Sequence, residues 1–178
     1  RPKSPLRGKL DLFFKAELTW VRSRHSELHA LREVGLLDSH AALRRDLGWL
    51  HQAAYAAAFI EQTTETDTPL PAVFELLDGL LLHLPNQPAQ AATLFAFELK
   101  MLGELGLSPN LAGTSLSPGA KEILRALLVS PWNAIARLRL SPAQRLEVGR
   151  FLQGFLLYHL GRLAPGRATA LAEPTAAG

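Results

Sequence analysis

The chain has 178 residues, of which 48% are hydrophobic and 20% charged, a balance typical of a globular protein with enough apolar side chains for a core. The absence of cysteine excludes disulfide bonds and zinc sites built on thiolates. The longest apolar run, Gly79–Leu84, is much shorter than the ~18 residues that indicate a membrane-spanning helix.

The net charge of +3 is unevenly distributed along the chain. Residues 1–50 hold ten Lys or Arg against six Asp or Glu, residues 51–100 hold one against six, and residues 101–178 hold eight against four. A polyanion would therefore be attracted to the two ends of the sequence and repelled by its middle. Such an excess becomes a binding site only if the basic residues cluster in space.

The N-terminal part predicts a basic loop followed by a β-hairpin. Residues 1–11 are rich in basic residues, proline and glycine. Phe14–Ser23 alternates apolar and polar side chains, as a strand does, with Trp20 on the apolar face. Leu28–Leu36 is predicted to be the second strand of an antiparallel pair. Two strands alone are marginal in water, so this hairpin needs a further packing partner.

From Asp38 onward the apolar spacing predicts helices. We expect Asp38 and Ser39 to cap the first helix. Ser117-Pro118 and the capping box Ser141-Pro-Ala-Gln144 should start two later helices. The predicted helices run, in order, from Asp38-Ser39 to about Ile60, from Pro69 or Pro71 to Leu84, through a central helix ending at Leu105, from Ser117 to Val129, through a short turn in residues 131–138, and from Ser141 to Leu163.

Two further expectations concern the central and the last helix. The segment Phe97–Leu111, with sequence FELKMLGELGLSPNL, is apolar on nearly all sides, so we expect it in the middle of a helical bundle, with Gly106 as its left-handed stop. From Ala164 the chain is rich in Ala, Pro and Gly and is predicted to be disordered. The apolar side of the last helix should consist of Val148, Leu152, Phe155, Leu156, His159 and Leu163.

The central segment resembles the RecO family of bacterial DNA repair mediators, and a second segment agrees with it. The N-terminal RPKSPLRGKLDLFF, at residues 1–14, is similar to the basic loop that leads into the last strands of the family's OB-fold. The same resemblance continues through residues 16–24 and 27–34 and extends to about residue 163. It implies a mainly α fold, with a helical bundle domain preceded by a two-stranded β-hairpin that is the remnant of an OB-fold.

The resemblance divides the chain into residues 1–37, the C-terminal part of an OB-fold; residues 38–163, the helical domain; and residues 164–178, a disordered tail. We expect the first three of the five OB-fold strands to be missing. The zinc module that many RecO sequences carry after Asn110 is absent, because residues 111–118 lead directly into the next helix. The segment Gly161–Arg167 replaces the Lys-Ser pair that often follows the last helix in the family.

The resemblance implies a non-enzymatic, cytoplasmic mediator of DNA repair and recombination. Such a protein would bind single- and double-stranded DNA, the acidic C-terminal tail of single-stranded-DNA-binding protein, and RecR, and would assist RecA loading. It implies no cofactor, no small-molecule substrate and no membrane. The alternative is a structural α-helical protein-interaction module without DNA binding. An enzyme ranks third, because the sequence contains no nucleophile elbow, phosphate-binding glycine loop or dinucleotide fingerprint.

The candidate DNA-binding residues are basic side chains of the N-terminal quarter of the chain, which could meet phosphates without reading sequence. Phe14 and Trp20 could stack on bases, although barrel core is the preferred interpretation of Trp20. His25 and His29 share a strand face with Glu27, but we expect solvated side chains there and no metal. The DNA-binding candidates are Arg1, Lys3, Arg7, Lys9, Arg22, Arg24, Arg44 and Arg45.

A site for the acidic tail requires an apolar groove for its terminal side chain and flanking cations for its carboxylates. The candidates are Lys100 on the central helix and Lys121 and Arg125 on the next. The alternative is that Lys100 only pairs with Glu104, four residues later.

Overall fold

The structure is a computed structural model that describes residues 8, 10–25 and 28–172. It is mainly helical, with a two-stranded sheet before the helices, as predicted. The chain forms two compact units, Arg1–Ala42 and Leu43–Gly178. The predicted boundary at residues 37 and 38 remains a prediction.

The first unit contains the predicted antiparallel hairpin. Strand β1 spans Lys15–Val21 and strand β2 spans Ala30–Asp38. Leu18 pairs with Val34, and the register shifts next to Trp20. Val34 is buried, whereas Leu18 and Trp20 are each 53% exposed. The hairpin therefore carries apolar side chains that the described residues do not cover.

The second unit begins differently from the prediction. Residues Ala41–Arg45 form a 3-10 turn, and helix α1 spans Leu47–Thr63. Asp46 caps it, accepting a hydrogen bond from the backbone N–H of Trp49 at 3.1 Å. The cap predicted at Asp38 and Ser39 is wrong, because the Asp38 carboxylate accepts instead from the N–H of His40 at 2.7 Å.

In the middle of the second unit, the helices begin and end close to the predicted residues. Helix α2 spans Pro71–His83, with proline in its first turn, and a 3-10 turn, Leu84–Asn86, follows. Helix α3 spans Ala91–Glu104 and is buried on nearly all sides, which confirms its place in the middle of the bundle. Gly106 has φ of 71°, so a left-handed residue ends α3 as predicted.

Two of the remaining helices begin at a serine whose hydroxyl group caps the helix, again as predicted. Helix α4 spans Pro118–Val129 and is capped by Ser117. A single turn, α5, spans Trp132–Ile135. Helix α6 spans Pro142–Leu160 and opens with the predicted capping box of Ser141 and Gln144. Helix α3 packs against both α4 and α6, so the core centres on α3.

Two expectations about the last part of the chain are corrected. His159 was expected on the buried side of α6 but is exposed, and Leu163 lies beyond the end of the helix at Leu160; the buried positions are Val148, Leu152 and Leu156. Disorder was expected from Ala164, but helix α7 spans Arg167–Leu171 and packs against α1 and α3. The local composition missed α7 because its stability comes from distant contacts. Residues 173–178 lie outside the described residues.

Candidate nucleic-acid and partner-binding surfaces

Half of the basic residues predicted to bind DNA lie outside the part of the chain that the structure describes. These are Arg1, Lys3, Arg7 and Lys9. Arg22 and Arg24 directly follow β1, and both are exposed. The DNA-binding site that these residues would form remains a prediction.

An aromatic pair lies next to the exposed arginines of the hairpin. The rings of Trp20 and His29 lie 4.8 Å apart at 36°. The imidazole Nδ1 of His29 also accepts a hydrogen bond from the N–H of Ser23 at 3.4 Å. His29 therefore supports the indole from one side while 53% of Trp20 remains exposed. Such a ring could stack on an unpaired base.

Arg44 and Arg45 occupy the end of the 3-10 turn before α1, where both are exposed. They belong to the second compact unit, whereas Arg22 and Arg24 belong to the first.

A groove of about 280 Å³ lies between α3, α4 and the loop at residues 109–112. Leu99, Leu124 and Leu128 supply much of its apolar wall, and Arg125 is its charged residue. The Arg125 guanidinium pairs with Glu122 one turn earlier, at a surface where both side chains are exposed. Lys121 lies one turn before Arg125 on the same helix. Of the three predicted partner-binding residues, Arg125 thus lines an apolar groove, and Lys121 is the neighbour of Arg125 on the surface of α4.

The third predicted partner-binding residue, Lys100, has a structural contact of its own. Its Nζ donates a hydrogen bond at 2.8 Å to the carbonyl of Leu128, in the last turn of α4. The ammonium lies 5.9 Å from the ring centre of Trp132. Burial lowers its pKa. Within the described residues, Lys100 is therefore tied to the negative end of α4 and does not pair with Glu104.

Sequence reasoning missed a buried ionic cluster that joins α1, α3 and α7. The guanidinium of Arg167 donates two hydrogen bonds to the Glu98 carboxylate, Nε to Oε1 at 2.6 Å and Nη2 to Oε2 at 3.0 Å. The hydroxyl of Tyr55 donates to the same Oε1 at 2.7 Å. Glu98 is fully buried and Arg167 nearly so. The one available signal was an acid in a helix that is apolar on nearly all sides, because a carboxylate that is buried there requires a partner.

The cluster shifts the pKa values of Arg167 and Tyr55 in directions that follow from burial and charge. Burial opposes the charged form of Arg167, but the hydrogen bonds and charge of Glu98 outweigh it and raise the pKa of the guanidinium. Burial, followed by the charge of Glu98, raises the pKa of Tyr55 far above its usual value of 10.0. Arg167 therefore stays charged and Tyr55 neutral at any ordinary pH, so the cluster is a structural element.

A second and larger groove, of about 570 Å³, lies between α6 and α7. Phe95 and Leu146 are among its apolar lining residues, and Arg145 and Arg150 are among its basic ones. Arg145 donates to the carbonyl of Leu171 at 2.7 Å, which ties α6 to α7. This groove combines apolar surface with more basic residues than the α3–α4 groove does.

The described residues contain no group of three His, Asp or Glu side chains arranged to hold a metal ion. No helix in the described ranges is long and apolar enough to cross a bilayer. Of the three residues considered for a metal at the hairpin, Glu27 lies outside the described residues, His25 is exposed, and His29 stacks on Trp20.

The comparisons of this chain with known proteins all indicate the same family. The family model described as "Recombination protein O C terminal" matches residues 44–114 and 110–167. The chain is 27% identical over 190 residues to the DNA repair protein RecO of Myxococcus xanthus (strain DK1622), covering 91% of this chain and 78% of that protein. It is 31% identical over 182 residues to the DNA repair protein RecO of Anaeromyxobacter sp. (strain K), covering 83% and 72%. The chain therefore belongs to the RecO family of DNA repair proteins.

Proposed function

We propose that this DNA repair protein is a non-enzymatic mediator that binds DNA and the acidic tail of single-stranded-DNA-binding protein, and that it works with RecR to assist RecA loading in the cytoplasm. Membership of the RecO family supports this proposal. The observation that carries it at the level of residues is the α3–α4 groove, where an apolar wall adjoins Arg125 and Lys121.

The basic N-terminal loop and the exposed strand end would supply the DNA contact. Arg22 and Arg24 would neutralise phosphates together with the basic residues of the loop, and Trp20 would stack on an unpaired base. Contacts of this kind position the protein on the backbone without selecting a sequence. Neutralising ~4 phosphates gives a log–log salt slope near −3 on a single strand.

The DNA proposal is tested by measuring affinity against salt concentration for the wild type and for the double variant Arg7→Ala/Lys9→Ala. Removing two phosphate contacts should make the slope shallower by about 1.4. An unchanged slope and affinity would place the DNA site elsewhere. A wild type that binds no DNA at any salt concentration would favour the alternative, a helical protein-interaction module without DNA binding.

The α3–α4 groove would hold the acidic tail. Its terminal apolar side chain would enter between Leu99, Leu124 and Leu128, and its carboxylates would meet Arg125 and Lys121. Arg125 already pairs with Glu122 at the surface, where such pairs are worth ~0–1 kcal/mol, so exchange for a peptide carboxylate is inexpensive. Lys100 would act by holding the end of α4, which carries one wall of the groove.

A fluorescent peptide with an acidic tail and an apolar C-terminal residue tests this assignment. We expect Arg125→Ala and Lys121→Ala to weaken binding, since each removes a cation beside the groove. Arg137→Ala is the matched control, because Arg137 is an exposed arginine of the α5–α6 loop that does not line the groove. Lys100→Ala tests the third predicted residue. Equal binding by the wild type and all three groove variants would remove this groove from the proposal.

A further inference from the structure

We propose that the outer face of α6 between Arg150 and Tyr158 is a second nucleic-acid contact, which binds single-stranded DNA by stacking a base on Tyr158 and pairing a phosphate with Arg150. The inference rests on the proposed DNA-binding function but concerns a different surface from the N-terminal loop and hairpin. It follows from the exposure, the ring contacts and the charge of this helix.

Tyr158 is 85% exposed, an unusual position for a large aromatic side chain on a helix. Within the described residues its ring contact is with His159, edge to face at 4.9 Å and 82°. His159 in turn packs on Phe155 at 4.3 Å, and Phe155 on Phe151 at 5.9 Å. This row of rings supports Tyr158 while most of its surface stays open to a ligand, and aromatic rings of this kind are stacking surfaces for unpaired bases.

The charge of α6 complements a polyanion. The sequence from Val148 to Ala172 contains no Asp or Glu. The preceding acid, Glu147, accepts hydrogen bonds from the N–H and hydroxyl of Ser117 at 2.6 and 2.8 Å, so its carboxylate is already engaged. Arg150 is exposed and forms no hydrogen bond or ion pair with any residue that the structure describes. Its guanidinium is therefore available to a phosphate.

The geometry suits a strand that crosses the helix obliquely, because residues eight positions apart are turned by about 80° around the axis of α6. Arg150 and Tyr158 are eight residues apart and so about 12 Å apart along the axis of α6. Arg150 also lines the α6–α7 groove, where Arg145 adds a second positive charge. A base in an intact duplex is already stacked on its neighbours, so the exposed ring of Tyr158 favours binding of single strands.

The test uses the full chain and an oligothymidine single strand in which one base is 5-bromouracil. We expect Tyr158→Ala to weaken binding about fivefold or more, since each stacked base contributes ~1–3 kcal/mol. Tyr158→Phe should keep the wild-type affinity, because it preserves the ring. Arg150→Gln should make the salt slope shallower by about 0.7, the loss of one phosphate contact. Val129→Ala, at a side chain 78% exposed on α4, is the matched control and should bind as the wild type does.

Photo-crosslinking identifies the contact directly, and we expect mass spectrometry to find the bromouracil adduct on Tyr158. If the wild type binds but Tyr158→Ala and Arg150→Gln bind equally well, and the crosslink maps to the hairpin, this inference is wrong while the proposed function stands. If the wild type does not bind single strands, both are wrong. If Tyr158→Ala abolishes self-association and leaves DNA binding unchanged, the face is a contact between copies of the chain.

Discussion

Replacing Arg167 by alanine would leave the carboxylate of Glu98 buried without its cation. Glu98 is fully buried on α3, and Arg167 supplies two of the three hydrogen bonds that its carboxylate accepts. Breaking a buried ion pair by removing one partner costs ~3–5 kcal/mol. Because Tyr55 would keep its hydrogen bond to Oε1, we expect a loss of about 3 kcal/mol, at the lower end of that range.

This loss should appear in urea unfolding followed by far-UV circular dichroism. In thermal unfolding, a chain of 150–250 residues loses ~2–4 °C of melting temperature per kcal/mol, so we expect a decrease of roughly 6–12 °C. The matched control is Arg162→Ala. Its guanidinium is exposed, while its backbone carbonyl, which the substitution keeps, accepts a hydrogen bond from Gln62 at 3.0 Å. The control should stay within ~0.5 kcal/mol of the wild type.

A double-mutant cycle then separates the ion pair from simple packing. In Glu98→Gln/Arg167→Met neither side chain is charged, so the double variant should be more stable than the sum of the two single losses predicts. If Arg167→Ala loses no more stability than Arg162→Ala, or if the two single losses simply add, the Glu98–Arg167 pair does not hold α7 in place.

Three further predictions concern stability. Leu99→Ala should cost ~2–5 kcal/mol, because Leu99 is almost fully buried in the core around α3. Gly149→Ala should cost ~1–3 kcal/mol, because the new Cβ would lie 3.2 Å from the ring of Phe95, which is only 1% exposed and is held by the surrounding core. Gly154→Ala in the same helix has open space and should stabilise the protein by ~0.5–1 kcal/mol; urea unfolding compares the two variants. Hydrogen bonds from Ser117 lower the pKa of Glu147. The stabilisation that they give is therefore present above the usual pKa of 4.5 and is lost as the pH falls through the lowered pKa. Ser117→Ala should flatten the curve of unfolding free energy against pH in this acidic range.

Local signals in the sequence were enough to place most helix ends in the second unit. The stops and starts at Gly106, Ser117 and Ser141 were predicted correctly because each depends on a few neighbouring residues: a left-handed glycine, a hydroxyl cap and a capping box. The start of α1 was predicted wrongly. Asp38 and Asp46 have the same capping chemistry, and the 3-10 turn between them, with Leu43 buried, decides which one caps the helix.

The contacts that sequence reasoning missed join residues far apart in the chain. Arg167 lies 69 positions from Glu98, and composition alone predicted disorder where α7 forms. An ion pair of Lys100 with Glu104, its neighbour on the helix surface, was the alternative considered from the sequence. The partner of Lys100 is instead the carbonyl of Leu128, 28 positions away. Tyr158 was not among the predicted site residues. The apolar spacing of α6 identifies only the buried side of the helix, and an exposed aromatic residue outside that spacing does not by itself predict a function.

The Glu98–Arg167 pair also has a consequence during synthesis. Helix α3 leaves the ribosome with an acid in its apolar surface, and the cation that neutralises it is encoded 69 residues later. A chain that ends before Arg167 would leave the buried carboxylate of Glu98 without its cation, so we expect it to be less stable than a chain that includes α7. Helix α7 thus completes the core around α3, because it supplies the cation that the buried carboxylate of Glu98 requires.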